Sequence, residues 1–266
     1  MKDELIFQQF IREHTGCASY LVGSAKTGKC LLIDPLIDTE RYESYLKGNN
    51  MEVVALIDTH THADHLSGLR YFSALFPKAI LAMHEAAPAN FQFRKLKDGD
   101  YLHEWIGVSS FTIRIIYTPG HATDHISLFI EYPGLNLLLS GDSLFIGDVG
   151  RTDLGRGDND LMYDTLFHRL LSLAPSTEVY PAHIGAKHFL ATEKVKTQIG
   201  TERDTNPALQ VKSKEEFFKY MTEGWPPKPS HYEEIIKINL GKMSLSEAEE
   251  DIFRSENEAA STHFRG

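Results

Sequence analysis

The ten residues THTHADHLSG at positions 59–68 place His60, His62, Asp64 and His65 within six positions. Imidazoles do not crowd in this way for packing, because a polar ring taken out of water needs a partner. Spacing and donor type both fit a metal-binding loop. The loop follows a short apolar run, VVALIDTH, which reads as a buried strand. The chain must therefore fold so that a rigid sheet carries this loop at its end.

The other candidate donors repeat the arrangement. His121 stands in TPGHATDH, after a strand FTIRIIYTPGH in which Phe111, Ile113, Ile115 and Tyr117 share one side. Asp142 stands in LLLSGDSLF and His183 in VYPAHIG, each directly after an apolar strand. Alone, His121 or His183 reads as a core or capping histidine, Asp142 as a turn residue and Asp64 as a helix N-cap. As a set, four strand ends each deliver an imidazole or carboxylate into a loop, and such loops can converge on one cleft. Neutral imidazole and carboxylate suit Zn, Fe or Mn.

Strand and helix signals alternate along the chain, an α/β pattern. A hairpin is expected around Lys26 to Gly28. A helix is expected over SGLRYFSALFP, with Leu66, Leu69, Phe72, Leu75 and Phe76 on one face and Pro77 as its stop. AILAMHE reads as a strand, and a second hairpin turns at Pro133-Gly134. A helix from about Asp160 to Leu173 takes Asn159 or Asp160 as N-cap. From Phe189 the pattern turns helical, then passes through the proline-rich GWPPKPSHY.

The formal net charge of −10 argues against a nucleic-acid partner. No stretch approaches the about 18 apolar residues of a membrane span. The start, MKDELIFQQF, lacks the features of a signal peptide. Cys17 and Cys30 lie on what read as neighbouring strands; a disulfide is conceivable, but the reading taken is two reduced, half-buried thiols. A cytoplasmic protein is the expectation. The partition expected is a catalytic domain over 1–242, with a helical extension from about 190, and an acidic tail or surface helix over 243–266.

The ordered set His60-x-His62-x-Asp64-His65, His121, Asp142 and His183 resembles the metallo-β-lactamase fold superfamily over roughly residues 10–190. The resemblance implies an αβ/βα sandwich: two mixed sheets face to face, helices outside, metal at one edge. GDSLFIGDVGRTDL, YPAHIGAKH…IGTERDTNPALQ and EEFFKYMTEGWPPKPSHYEEIIKINLGK are similar to persulfide dioxygenases, the bacterial kind often fused to rhodanese domains. That likeness implies one Fe(II) per chain on His60, His121 and Asp142, a facial triad with three open positions. His62, Asp64, His65 and His183 would then orient ligands or water. The implied reaction converts a low-molecular-weight thiol persulfide, O₂ and water to thiol and sulfite. No residue need be a covalent nucleophile, and Cys17 and Cys30 receive no catalytic role.

Arg151 and Asp153, in GRTDL, leave two readings open. Arg151 either meets a carboxylate on the thiol carrier or braces the loop by pairing with Asp153. Lys187 is a further candidate for an anionic carrier group. Glutathione-using members carry Asp-Tyr after the histidine matching His183. This chain has Ile184-Gly185, so coenzyme A persulfide or another thiol stays open beside glutathione. The chain stops about where a rhodanese domain would begin, which leaves a stand-alone dioxygenase or a piece of a longer protein, and a functional link to a rhodanese sulfurtransferase either way. The runner-up is a thioester hydrolase of the glyoxalase II type. Two Zn(II) would be held by His60, His62 and His121 and by Asp64, His65 and His183, with Asp142 bridging. The segments after Asp142 and His183 lack that family's substrate patterns. A homodimer is compatible with Phe217, Phe218, Tyr220, Trp225 and Tyr232 if exposed; packed back on the sandwich, they say nothing about assembly. His84 follows a strand but is not among the ligands.

Overall fold

The computed structural model describes residues 5–185 and 194–245. Its strands form two sheets. One has the order β1-β2-β3-β4-β5-β6, from β1 (Leu5–Arg12), β2 (Cys17–Ser24), β3 (Lys29–Ile33), β4 (Glu52–Ile57), β5 (Ile80–His84) and β6 (Arg94–Leu96). The other runs β11-β10-β9-β8-β7, from β7 (Thr112–Tyr117), β8 (Ile126–Tyr132), β9 (Leu135–Gly141), β10 (Glu178–Pro181) and β11 (Thr197–Gln198). The sheets pack face to face with helices outside, the αβ/βα sandwich expected.

The strands read as apolar runs because most are buried on both faces. In β3, Leu31 and Ile33 face the core between the sheets, which also holds Ile57, Ile113, Ile115, Leu137 and Leu139. Cys30 and Leu32 point the other way, into a second cluster under α1 (Glu40–Gly48) and α2 (Phe72–Leu75) with Tyr42, Leu46 and Phe72. Leu138 of β9 likewise points outward, against α4 (Asn159–Asp164), α5 (Ile199–Thr205) and α6 (Lys214–Thr222), where Met162, Ile199 and Phe217 are buried. The described residues also include helices α3 (His103–Ile106) and α7 (Tyr232–Asn239).

Strand direction decides where the site falls. β3 and β4 run parallel, β9 and β10 run parallel, and β7 and β9 each pair antiparallel with β8. The C-terminal ends of β3 and β4 therefore lie at one edge of their sheet, and those of β7, β9 and β10 at one edge of the other. Backbone bonds tie these edges together: Ile126 N–H to Thr59 O at 2.8 Å, Ala18 N–H to Ala182 O at 2.7 Å, Ile184 N–H to Gly16 O at 2.9 Å.

Two local expectations about helices change, and two open readings are narrowed. The helix expected over 67–77 is only Phe72–Leu75, with irregular loop before it, and Leu75 is exposed. The cap of α4 is Asp158, whose extended backbone lets its carboxylate accept from Leu161 N–H at 3.0 Å; Asn159 and Asp160 are already inside the helix. The helix then widens to π geometry over Thr165–Leu170. Cys17 and Cys30 are free and fully buried. Phe217 is buried, and Phe218, Tyr220 and Trp225 pack on the outer cluster, so these rings carry no argument for a dimer. No helix among the described residues is long and apolar enough to cross a membrane.

Candidate metal centre

The strand ends bring His60, His121 and Asp142 together, with one donor atom of each within 4.8 Å of the others. All three are buried. Nε2 of His60 lies 3.8 Å and Nε2 of His121 3.6 Å from Asp142 Oδ2. Both separations exceed a hydrogen bond. They fit atoms sharing one cation, since two ligand atoms each about 2.1 Å from a metal stand at most about 4.2 Å apart.

Hydrogen bonds fix which lone pairs face inward. Thr59 Oγ1 donates to Asp34 Oδ2 at 2.9 Å, so it accepts from His60 Nδ1 at 3.0 Å. The proton of His60 is thereby held on Nδ1, and Nε2 keeps its lone pair. Burial and the neighbouring His62 ring hold His60 well below the usual imidazole range, so the ring is neutral. His121 donates Nδ1–H to the Arg151 carbonyl at 2.6 Å, which turns its Nε2 toward Asp142. Asp142 Oδ1 accepts from His183 Nδ1 at 2.7 Å. His60 Nε2 and Asp142 Oδ2 have no hydrogen-bond partner among the described residues. Two buried lone pairs without partners, beside a third from His121, fit a divalent cation.

The remaining expected residues are engaged elsewhere. His62 Nε2 lies 3.1 Å from Asp34 Oδ1, and His62 groups with Asp34 and Asp58. Asp64 is no helix cap: its Oδ2 takes hydrogen bonds from His65 Nδ1 and His183 Nε2, both at 2.8 Å, and from the Cys17 thiol at 3.7 Å. His183 thus spans Asp142 and Asp64. Burial alone would lower it, but the two carboxylates outweigh this and hold it well above the usual imidazole range. Cys17, Asp64, His65 and His183 form a second group of metal-type donors. Its members already touch at hydrogen-bond distance, whereas the first group does not.

Of the two roles open to Arg151, the pairing with Asp153 is present. Its Nε and Nη2 meet Asp153 Oδ1 and Oδ2 at 2.6 and 2.9 Å, and the buried guanidinium lies 5.5 Å from the Trp225 ring centre. Lys187 lies outside the described residues. His84 stacks on Tyr117 at 4.2 Å and joins neither group.

Several residues of the site were not singled out from the sequence. Asp34, directly after β3, accepts from Thr59 N–H at 2.7 Å and from its hydroxyl, and so stands behind His60. The signal existed: a carboxylate after an apolar strand, as at Asp142. His125 accepts the Asp142 N–H on Nε2 at 2.9 Å and donates Nδ1–H to Thr118 Oγ1 at 2.8 Å. Burial lowers its pKa to about 4, so it remains a neutral acceptor. Arg156 links three loops, reaching Thr61 Oγ1 at 2.8 Å, Asp124 Oδ2 at 3.2 Å and Thr123 Oγ1 at 3.2 Å. Nothing in local sequence marks it.

The chain is 26% identical over 239 residues to the protein described as persulfide dioxygenase ETHE1, mitochondrial, of Bos taurus, covering 89% of this chain and 88% of that one. It is 31% identical over 156 residues to a hydroxyacylglutathione hydrolase of Francisella tularensis subsp. novicida, 58% of each chain. The crystal structure of ETHE1 from Myxococcus xanthus superposes with a TM-score of 0.77 at 27% identity, covering 88% of this chain and 98% of that one. Residues 13–183 match the metallo-beta-lactamase superfamily. With that match, the sandwich and the buried imidazole and carboxylate cluster at its edge, the chain belongs to the metallo-beta-lactamase superfamily and is built as a metal-dependent enzyme.

Proposed function

We propose that the chain is a persulfide dioxygenase with one Fe(II) held by His60, His121 and Asp142. The observation that carries this reading is the contrast between the two donor groups. In the first, two lone pairs lack hydrogen-bond partners and the donors stand 3.6 and 3.8 Å apart. In the second, both nitrogens of His183 and one of His65 are spent on carboxylates at 2.7–2.8 Å. One cation on two imidazoles and a carboxylate is the ligand set of non-haem Fe(II) oxygenases. Bound there, the iron supplies open positions for a sulfur substrate and O₂.

The balanced reaction is R–S–SH + O₂ + H₂O giving R–SH, sulfite and two protons. The chain's own residues orient and exclude. Thr59 and the Arg151 carbonyl hold the tautomers of His60 and His121, and His183 fixes the rotation of Asp142. Arg151 and Asp153, paired with each other, line a cleft with Trp225 and Lys228, and they stay the candidate contacts for the thiol carrier. The substrate is a low-molecular-weight persulfide, with glutathione and coenzyme A as candidate carriers. We also propose the cytoplasm as its location, and a rhodanese sulfurtransferase as a functional partner.

A second reading has its own support. His62 Nδ1 and His65 Nε2 are also buried without partners among the described residues, and the hydrolase likeness reaches 31% identity over its shorter span. Two Zn(II) and thioester cleavage would follow. Anaerobic Fe(II) loading, metal analysis and O₂ uptake with glutathione and coenzyme A persulfides separate the two. One iron per chain with stoichiometric sulfite is expected. Two zincs in active protein, with thioester cleavage and no O₂ uptake, would overturn the dioxygenase.

A further inference from the structure

The loop that carries His60 is held at its far end by a residue 174 positions away. Asn239 closes α7, well past the superfamily match that ends at residue 183. Its Nδ2 donates to the carbonyls of His62 at 3.0 Å and His65 at 2.9 Å, and its Oδ1 accepts from Ser67 N–H at 3.0 Å. The side chain is buried, and both amide protons are used. The helix is seated so that this contact is fixed. Ile235 and Ile238 bury against Leu66, Arg70 donates to the Ile238 carbonyl at 3.0 Å, and Asn90 N–H meets the Leu240 carbonyl at 2.7 Å.

We propose that Asn239 is a positioning residue for the metal loop, so that the helix beyond the matched region is part of the site. The argument is geometric. Asp34 grips the loop at Thr59, and Asn239 grips it at His62, His65 and Ser67. His60, read above as a ligand, sits between the two grips. An irregular loop has no ladder to satisfy its own carbonyls, and buried carbonyls must find donors elsewhere. Only a planar amide offers two donors and an acceptor in one group. Asp at 239 keeps the acceptor for Ser67 but turns a negative oxygen on two carbonyls.

The proposal rests on the metal reading for its effect on His60, and the test separates the two. Asn239→Asp and Asn239→Ala are compared with Ile238→Ala, which loosens the helix while keeping the amide. In Co(II)-loaded protein, both Asn239 variants should bind metal more weakly by up to about tenfold, below the roughly 10- to 100-fold seen for groups bonded directly to ligands. Their visible Co(II) bands should shift. Ile238→Ala, at an equal loss of melting temperature, should leave the bands in place. In metal-free protein, hydrogen exchange across residues 62–67 should quicken about tenfold in the Asn239 variants, the size of one lost hydrogen bond. Unchanged bands and exchange in Asn239→Asp overturn the proposal, as does Ile238→Ala reproducing both effects. If the wild type holds no metal, the metal reading falls, and the exchange measurement alone decides whether the grip exists.

Discussion

An imidazole can ligate only through a nitrogen that carries no proton, and in this chain the opposite nitrogen's partner decides which that is. His60 and His121 each give Nδ1–H to an oxygen and keep Nε2 bare. His183 has carboxylates at both nitrogens and is held as a cation. His125 is neutral, with its bare Nε2 spent on the Asp142 backbone. Its Nδ1 proton passes to Thr118 Oγ1, Thr118 gives its own to Ser127 Oγ, and Ser127 donates to the Ser140 carbonyl at 3.3 Å. Every donor in that chain finds an acceptor, which favours a rigid Asp142. His125→Leu should therefore act twice. It leaves the buried Asp142 N–H without an acceptor, costing about 1–3 kcal/mol in urea unfolding. It also frees Asp142 to rotate, which should weaken metal binding about 10- to 100-fold by competitive titration against a chelator. Wild-type affinity in a folded His125→Leu protein would show that this chain does not set Asp142. The ligand candidates were legible in the sequence because they cluster or directly follow strands. Asp34 carries the same strand-end signal, but its bond to Thr59 does not show in sequence; His125, Arg156 and Asn239 carry no signal at all, because a hydrogen-bonding role depends on a partner that only folding supplies. Thr59 is 25 positions from Asp34, and Ser67 is 172 from Asn239.

At the scale of elements, strands were read more truly than helices. Most strands are buried on both faces, and an apolar run bounded by turns survives any detail of packing. The expected helix after the histidines fails for a physical reason. Leu66 packs with Ile235 and Ile238, while Leu69 and Phe72 pack beneath the first sheet. Two separate clusters thus produce a spacing that mimics one helical face. α1 went unread because only Tyr42 and Leu46 anchor it. The loop after Asp142 shows what an element's course demands of sequence. A Cβ on Gly150 would stand 1.8 Å from the Asp142 carbonyl oxygen and 3.2 Å from His121 Nδ1. A Cβ on Gly147, with φ of +77°, meets nothing within 4 Å. Gly150→Ala must push the backbone of one candidate ligand and the ring of another. It should cost about 1–3 kcal/mol from overpacking and lose metal during gel filtration. Gly147→Ala should cost about 1–2 kcal/mol from left-handed strain alone and keep its metal. Equal metal retention in the two folded variants would show that the close approach at Gly150 is not what shapes the site.

Across the whole molecule, the two sheets meet at the metal edge through backbone bonds and through side-chain bonds such as Tyr20 Oη to the Pro181 carbonyl. Ile126 to Thr59 and Ala18 to Ala182 cross there, and the His60, His121 and Asp142 cluster joins one loop of the first sheet to two of the second. A cation on those three residues would act as a further cross-link between the sheets, made only in the folded state. Binding of that kind stabilises by mass action, about 2.7 kcal/mol when free metal is a hundred times its dissociation constant. For a protein of about this size, 1 kcal/mol moves the melting temperature by about 2–4 °C. Chelation should therefore lower it by about 5–10 °C. The loosening should also be local. Hydrogen exchange should rise in residues 58–68, 118–125 and 142–153, whose loops would share the cation. It should stay unchanged in the β8–β9 turn around Gly134, at the other end of those strands, and in β1, where backbone pairing with β2 runs from Leu5 to Arg12. A melting temperature indifferent to chelation, in protein that metal analysis shows was loaded beforehand, would mean that the sandwich closes without its cation. The cluster would then be a site the fold carries, with no part in holding the sheets together.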